Sequence, residues 1–170
     1  MFSTFDTSVS GMRSERIRLN LIANNIANVN STRDEFGNRG AYRRRLAVFE
    51  PGDARNRDPR YGVNVTEIVD SEEAPRLVYD PGHPDAITLA DYYQVDATAR
   101  SGGRRPEFAE LDEAAFKAMV DQHVGYVEYP NVDPAREMAD AVLASRAYEA
   151  NATVLGVTKT MIAQSLRIVA

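Results

Sequence analysis

"FSTFDTSVSGMRSERIRLNLIANNIANVNST", Phe2 to Thr32, is written in alternating steps of three and four. Counted from Phe2, that series runs Phe2, Phe5, Val9, Met12, Arg16, Leu19, Ala23, Ile26 and Asn30, and seven of the nine are apolar. The spacing collects them on one face of an α-helix, in the seam of a coiled-coil-like pairing that only Arg16 interrupts. Arg16 reads as a solvated or snorkelling side chain. Ser3 with Asp6 three residues on has the form of a capping box, and the polar run beginning "NST" ends the helix near residue 30. Such a helix is roughly 40 Å long.

Inside it, Asn20, Asn24 and Asn28 recur every four residues. Asparagine is a poor helix former because its amide competes for backbone hydrogen bonds. An amide stripe donates and accepts at once, so it can pair with a neighbouring helix without the desolvation cost of buried charge. The expectation is that these three residues set register between packed helices; the plainer reading is a solvent-facing polar stripe. Gly11, and Gly156 in the C-terminal helix, cost about 1 kcal/mol relative to alanine. Close helix packing would compensate; tolerated weak spots are the equal alternative.

The other end of the chain repeats the design. Met138, Ala141, Ser145, Tyr148, Ala152, Leu155, Lys159, Ile162, Leu166 and Val169 form a second three-four series with eight of ten apolar. Asp133 supplies an N-cap and Pro134 a first-turn proline for a helix of roughly 50 Å. Between the helices the period drops to two: "YRRRLAVF" (42–49), "VNVTEIV" (63–69), "RLVY" (76–79) and "GYVEY" (125–129) read as short strands between Pro and Gly turns.

The expected fold is therefore α+β: long N- and C-terminal helices packed as a coiled-coil-like pair or bundle, around a small β-rich middle domain. The segments are 1–32 (first helix), 33–61 (connection with the first strand), 62–130 (β-rich middle) and 131–170 (second helix). Within the middle, 107–123 returns to helical composition, with Leu111, Ala114, Ala115, Val120 and Phe108 as a short apolar face. That face would cover the β-rich domain locally or, as we favour, touch a neighbouring molecule.

Composition removes several function classes. The chain has 170 residues, 44% of them hydrophobic, with net charge −5 and pI ≈ 5.1. That balance argues against nucleic acid and anionic membrane surfaces, both of which call for a basic face. Without cysteine there is neither disulfide nor thiolate metal site. The N-terminus lacks a cleavable-signal pattern, and no apolar run reaches membrane-spanning length. Of the two histidines, His83 sits beside Asp85 in a turn-like "PGHPDA" and His123 stands alone. "SGGRRP" lacks the lysine and spacing of a phosphate loop. No catalytic, cofactor-binding or metal-ligating residue is expected, and no cofactor.

Two apolar stripes at opposite chain ends need partners, either each other, in a hairpin closing a monomeric domain, or neighbouring molecules. The candidate assembly interface comprises Phe2, Phe5, Val9, Met12, Leu19, Asn20, Asn24, Ile26, Asn28, Met138, Tyr148, Leu155, Ile162 and Leu166, with Gly11 and Gly156 at close approaches.

Longer stretches tip that balance. "SVSGMRSERIRLNLIANNIANVNSTRDEFGNRGAYRRRLAVFE" (8–50) resembles the N-terminal signature of the flagellar basal-body rod proteins, in its proximal-rod form. "GVNVTEIVDSEEAPRLVYDPGHPDA" (62–86) is similar to that family's β-rich middle, and "GYVEYPNVDPAREMADAVLASRAYEANATVLGVTKTMIAQSLRI" (125–168) to its C-terminal helix. Members usually pass from "GHPDA" to "GYV" through a few residues, so 87–123 reads as an insertion whose role the family does not supply. The resemblance implies a structural subunit exported by the flagellar type III apparatus without a cleaved signal. It would assemble in the periplasm with copies of itself and other rod proteins, in contact with the membrane-ring and export-gate junction at the rod base. The alternative is a soluble coiled-coil adaptor of an export system.

Overall fold

The computed structural model describes residues 2–33, 37–52, 62–92 and 111–169, and side chains within these except those of 2–4, 168 and 169. Its architecture is the expected α+β: α1 (Phe2–Ala27), β1 (Arg45–Pro51), β2 (Val63–Asp70), β3 (Arg76–Tyr79), α2 (Glu113–His123), β4 (Tyr126–Tyr129) and α3 (Pro134–Val169). α3 starts where its sequence says, with Ala135 N–H donating to Asp133 Oδ1 at 2.9 Å. The expected Ser3 capping box lies outside the described side chains.

The chain forms two compact units, and they cut across the expected segments. Unit 1 combines 1–29, 43–73 and 131–170; unit 2 combines 30–42 and 74–130. In this grouping β2 lies in unit 1 with β1 and the two long helices, whereas the expected segment 62–130 put it with the middle strands. It pairs antiparallel with β1, Arg45 opposite Asp70 and Pro51 opposite Val63, with a bulge at Val48/Phe49, and this hairpin packs on α1. Strand periodicity shows that a strand exists but is silent about its partner.

In unit 1 the helices run antiparallel, since Gly11 neighbours Asn151 and Asn25 neighbours Glu137. Their interior is small and polar: Ser8, Ser14, Asn25, Ala144 and Glu137 are buried beside Leu21, Ile22 and Val132.

Unit 2 is built on the β3–β4 pair, Val78 opposite the fully buried Val127, and on a cluster of Tyr92, Phe116 and Val120. The Tyr92 and Phe116 rings meet edge to face at 6.3 Å. The inserted helix α2 thus spends its apolar face, Phe116 and Val120, inside its own unit. Leu111, Ala114 and Ala115, expected on that face, are exposed instead, and Phe108 lies outside the described residues. Phe116 and Val120 give local cover, while Leu111, Ala114 and Ala115 stay outside it.

Candidate assembly surface

The loop between α1 and β1 and the loop after β3 are tied within unit 2. Arg33 donates from Nε and Nη2 to Asp85 Oδ1 at 2.9 and 2.6 Å, and the Thr32 hydroxyl donates to Oδ2 at 2.7 Å. The Arg33 bonds, then the Thr32 bond, hold the Asp85 carboxyl below the usual aspartate range. Burial works against ionisation of Asp91, but hydrogen bonds from the Thr88 backbone and hydroxyl, and from Arg39, leave it lowered as well. Burial pushes the Tyr92 phenol up. His83 Nδ1 accepts from Asp85 N–H at 3.1 Å, the turn chemistry its "PGHPDA" setting suggests. A cavity of about 270 Å³ opens beside these groups, and its carboxylates at Asp85 and Asp91 are already paired with arginines.

Unit 1 holds the stronger polar centre. Glu137, with no exposed surface, receives Arg44 Nε on Oε1 at 2.6 Å, and Arg44 Nη2 reaches the same oxygen at 2.5 Å. Asn25, 1% exposed, donates from Nδ2 to Glu137 Oε2 at 3.2 Å and to Arg45 O at 3.0 Å, while its Oδ1 accepts from Arg45 N–H at 2.9 Å. Asp140 lies 3.5 Å from Arg44 and 3.7 Å from Arg18. A buried carboxylate survives only with such partners.

Against this interior, the expected α1 seam is one residue out of phase. Ser8, Gly11, Ser14, Arg18, Leu21 and Asn25 line the packed side; Val9 and Ala23 are exposed, and Phe5, Met12, Leu19 and Ile26 half-buried. Phe2 lies outside the described side chains. Asn20 and Asn24 are exposed and pair with no α3 group that the structure shows, and Asn28 Nδ2 donates to Asn24 O at 2.9 Å in its own helix end. The asparagine that joins helices is Asn25, off the four-residue stripe.

At Gly11 an added Cβ would lie 2.9 Å from Asn151 Nδ2, a close approach of α3 to α1. Gly156 has no neighbour within 4 Å of such an atom among the described residues.

On α3, Leu155 and Ile162 are half-buried, whereas Met138, Tyr148 and Leu166 are exposed. The structure also separates out a stripe that the sequence series passed over: Leu143, Ala147, Ala150, Val154, Val157 and Met161, in steps of four and three. Its large members Leu143, Val154, Val157 and Met161 are 45% to 62% exposed. From Ala150 to Leu166 the helix carries a single charge, Lys159. A helix nearly uncharged all round is made to be covered.

Sequence reasoning missed Asn25, Arg44 and Glu137, and with them Ser10 and Ser14, whose hydroxyls accept from Val63 N–H at 3.2 Å and donate to Val63 O at 3.3 Å, because polar and small residues leave no hydrophobic period. The doubled Asn24-Asn25 and the triple arginine 43–45 were the visible signals. Arginine runs default to a solvated face, but Arg44, the middle one, is drawn in by Glu137.

Helices from the two chain ends are thus paired through polar contacts, and α3 carries large apolar side chains on its outward face. Family models agree: residues 5–33 match the "Flagella basal body rod protein" model, and 123–168 the "Flagellar basal body rod FlgEFG protein C-terminal" model. Flagellar basal-body rod protein FlgC of Borreliella burgdorferi is 33% identical, over 99% of this chain and 97% of its own length. The FlgC proteins of Escherichia coli O6:H1 and Bacillus subtilis are 31% and 29% identical, over 98% of this chain and 96% and 97% of theirs. The chain belongs to the FlgC family of flagellar basal-body rod proteins.

Proposed function

We propose that this chain is a structural subunit of the proximal rod of the bacterial flagellum, assembling with copies of itself and other rod proteins through the outward faces of α1 and α3. It is a part of the shaft that joins the membrane ring to the distal rod and hook. Family membership supports the class. The observation that carries the mode of assembly is the Leu143–Met161 stripe, whose four large side chains are 45% to 62% exposed. Each is already about half buried, so covering the rest contributes roughly 0.7 to 1.5 kcal/mol apiece, and a neighbour that buries the stripe gains several kcal/mol.

The same reading gives the remaining expected residues their work. Val9, Met138, Tyr148 and Leu166 are exposed and free to extend the contact, and Asn20 and Asn24 present amides outward for register. Gly156, open among the described residues, suits a close approach by a neighbouring helix. Export through the flagellar type III apparatus without a cleaved signal, a periplasmic position and contact with the ring junction at the rod base belong to this proposal through the family resemblance. The relatives are named for a structural assembly, and no residue is assigned a catalytic role.

Val157→Asp tests the surface. It places a charge in the stripe at a residue that is 55% exposed, so the isolated chain should keep its helix content. Cells whose only copy carries it should lose motility and yield no complete basal bodies. Normal rods from this variant would overturn assembly through this face.

A further inference from the structure

The charge of this chain is shared unevenly between its two units. Unit 1 holds thirteen acidic and thirteen basic residues, and unit 2 holds twelve acidic and seven basic, so the net charge of −5 falls wholly on unit 2. Copies of unit 2 therefore repel one another, and a surface of unit 2 that docks does so on something cationic.

The β3–β4 pair offers such a surface. Register and strand alternation put Arg76, Val78, Tyr129 and the buried Val127 on one face, and Leu77, Tyr79, Tyr126 and Glu128 on the other. Arg76, the one cation in the two strands, has its guanidinium over the Tyr129 ring at 5.8 Å and so belongs to the first face. The second face presents Leu77 and Tyr79, 39% and 65% exposed, together with the exposed carboxylate of Glu128, and exposed Asp80 follows directly on Tyr79.

Tyr79 is exposed yet held in place. Its ring meets that of Tyr126 edge to face at 5.2 Å, and it lies so close to Gly125 that a Cβ there would stand 2.8 Å from Tyr79 Cε2. Gly125 itself has φ +84°, a conformation open to glycine. Asp80 is fixed in the same way: its N–H donates to Gly125 O at 3.0 Å, and its Oδ1 accepts from Gly82 N–H at 3.2 Å. A ring already ordered gives up little freedom when a partner covers it, and tyrosine is among the residue types that anchor interfaces. Glu128 stands diagonal to Tyr79 across the ladder, within reach of a long side chain on that face. Arginine suits both groups at once, since a guanidinium stacks on an aromatic face and donates from its edge to carboxylates.

We propose that the exposed face of the β3–β4 pair, centred on Tyr79, is a docking site for an arginine-bearing, basic surface of a protein other than this chain. A second copy does not supply that surface, because its unit 2 is acidic and its unit 1 is neutral. The proposal rests on the rod reading, in that the partner is met in the assembled basal body.

Photocross-linking in purified basal bodies tests it, with the photoreactive residue benzoylphenylalanine in place of Tyr79. Ultraviolet light should join the chain to one different protein, and mass spectrometry should find the joined peptide beside an arginine. Asp80→Lys together with Glu128→Lys should lower the yield of that adduct roughly tenfold or more, while the amount of the chain in basal bodies stays the same. Should the chain altered at Tyr79 fail to enter basal bodies that hold the unaltered chain, the photoreactive residue in place of Leu77, on the same face, should give the same adduct. An adduct only with another copy of this chain would overturn the proposal, as would no adduct, or a yield indifferent to the two charge reversals. Absence of the unaltered chain from basal bodies would overturn the rod reading and this proposal with it, whereas its presence without the adduct would overturn this proposal alone.

Discussion

Replacing Arg44 by Met should destabilise unit 1 far more than replacing the whole ion pair. Arg44 is 11% exposed and Glu137 1% by side chain, and their contacts at 2.5 and 2.6 Å make this a desolvated pair. In Arg44→Met the carboxylate keeps only the 3.2 Å bond from Asn25 on Oε2, and Oε1 loses its cation. Removing one partner of a buried pair costs roughly 3 to 5 kcal/mol, a large share of the 5 to 15 kcal/mol that holds a domain. The double variant Arg44→Met, Glu137→Met leaves no stranded charge, and apolar replacement of a buried pair is close to neutral. It should recover most of the loss, although Asn25 gives up one acceptor and the recovery stops about 1 kcal/mol short. Urea unfolding followed by far-ultraviolet circular dichroism suits this, because the two long helices both belong to unit 1. A single variant losing under about 1 kcal/mol would refute the reasoning. A double variant as unstable as the single would refute it equally.

Gly156→Ala should stabilise the isolated chain by roughly 0.5 to 1 kcal/mol, since helix propensity improves and none of the described residues lies within 4 Å of the added carbon. Gly11→Leu should instead cost roughly 1 to 3 kcal/mol through collision with Asn151, and thermal melts of the two variants separate the cases. Asp85, held below its ordinary value first by Arg33, binds fewer protons folded than unfolded at acid pH. Its contribution is complete above the unfolded value, about 4, and is lost as pH falls through the lower folded value. Asp85→Asn should flatten that acid limb of a pH-dependent unfolding series, and an unchanged limb would count against the Arg33–Asp85 tie.

The helices, all four strands and the N-cap at Asp133 were legible because each leaves a local sign: a period, a flanking turn residue or a cap. The identity of the packed face was not. Large apolar side chains dominate any periodic count, and on α1 they mark Phe5, Val9, Met12 and Leu19, whereas the chain packs on Ser8, Gly11, Ser14 and Asn25. The same bias passed over the Leu143–Met161 stripe, because Ala147 and Ala150 contribute little to a hydrophobic count. Strand pairing was illegible for a different reason: β2 has the same alternation whether it joins the middle domain or β1.

One division of labour follows from these two faces. A helix apolar on every side has no means of distinguishing its own chain from a neighbour, and slipped or swapped pairings cost little. Inside unit 1, the contacts are instead directional and countable: an amide that fits one strand residue, two hydroxyls that fit another, one carboxylate that fits one guanidinium. Each is satisfied only in a single register, because a slip of one residue turns the strand's outward groups inward and strands a buried charge. We therefore read the polar interior as fixing the fold of each chain and propose that the apolar outer face of α3 is reserved for neighbours. That reading predicts opposite phenotypes: interior variants lower the stability of the isolated chain, and exterior ones abolish assembly while leaving stability unchanged. An exterior variant such as Val157→Asp that melts the isolated chain would break the division, and so would an interior variant that blocks assembly at full stability.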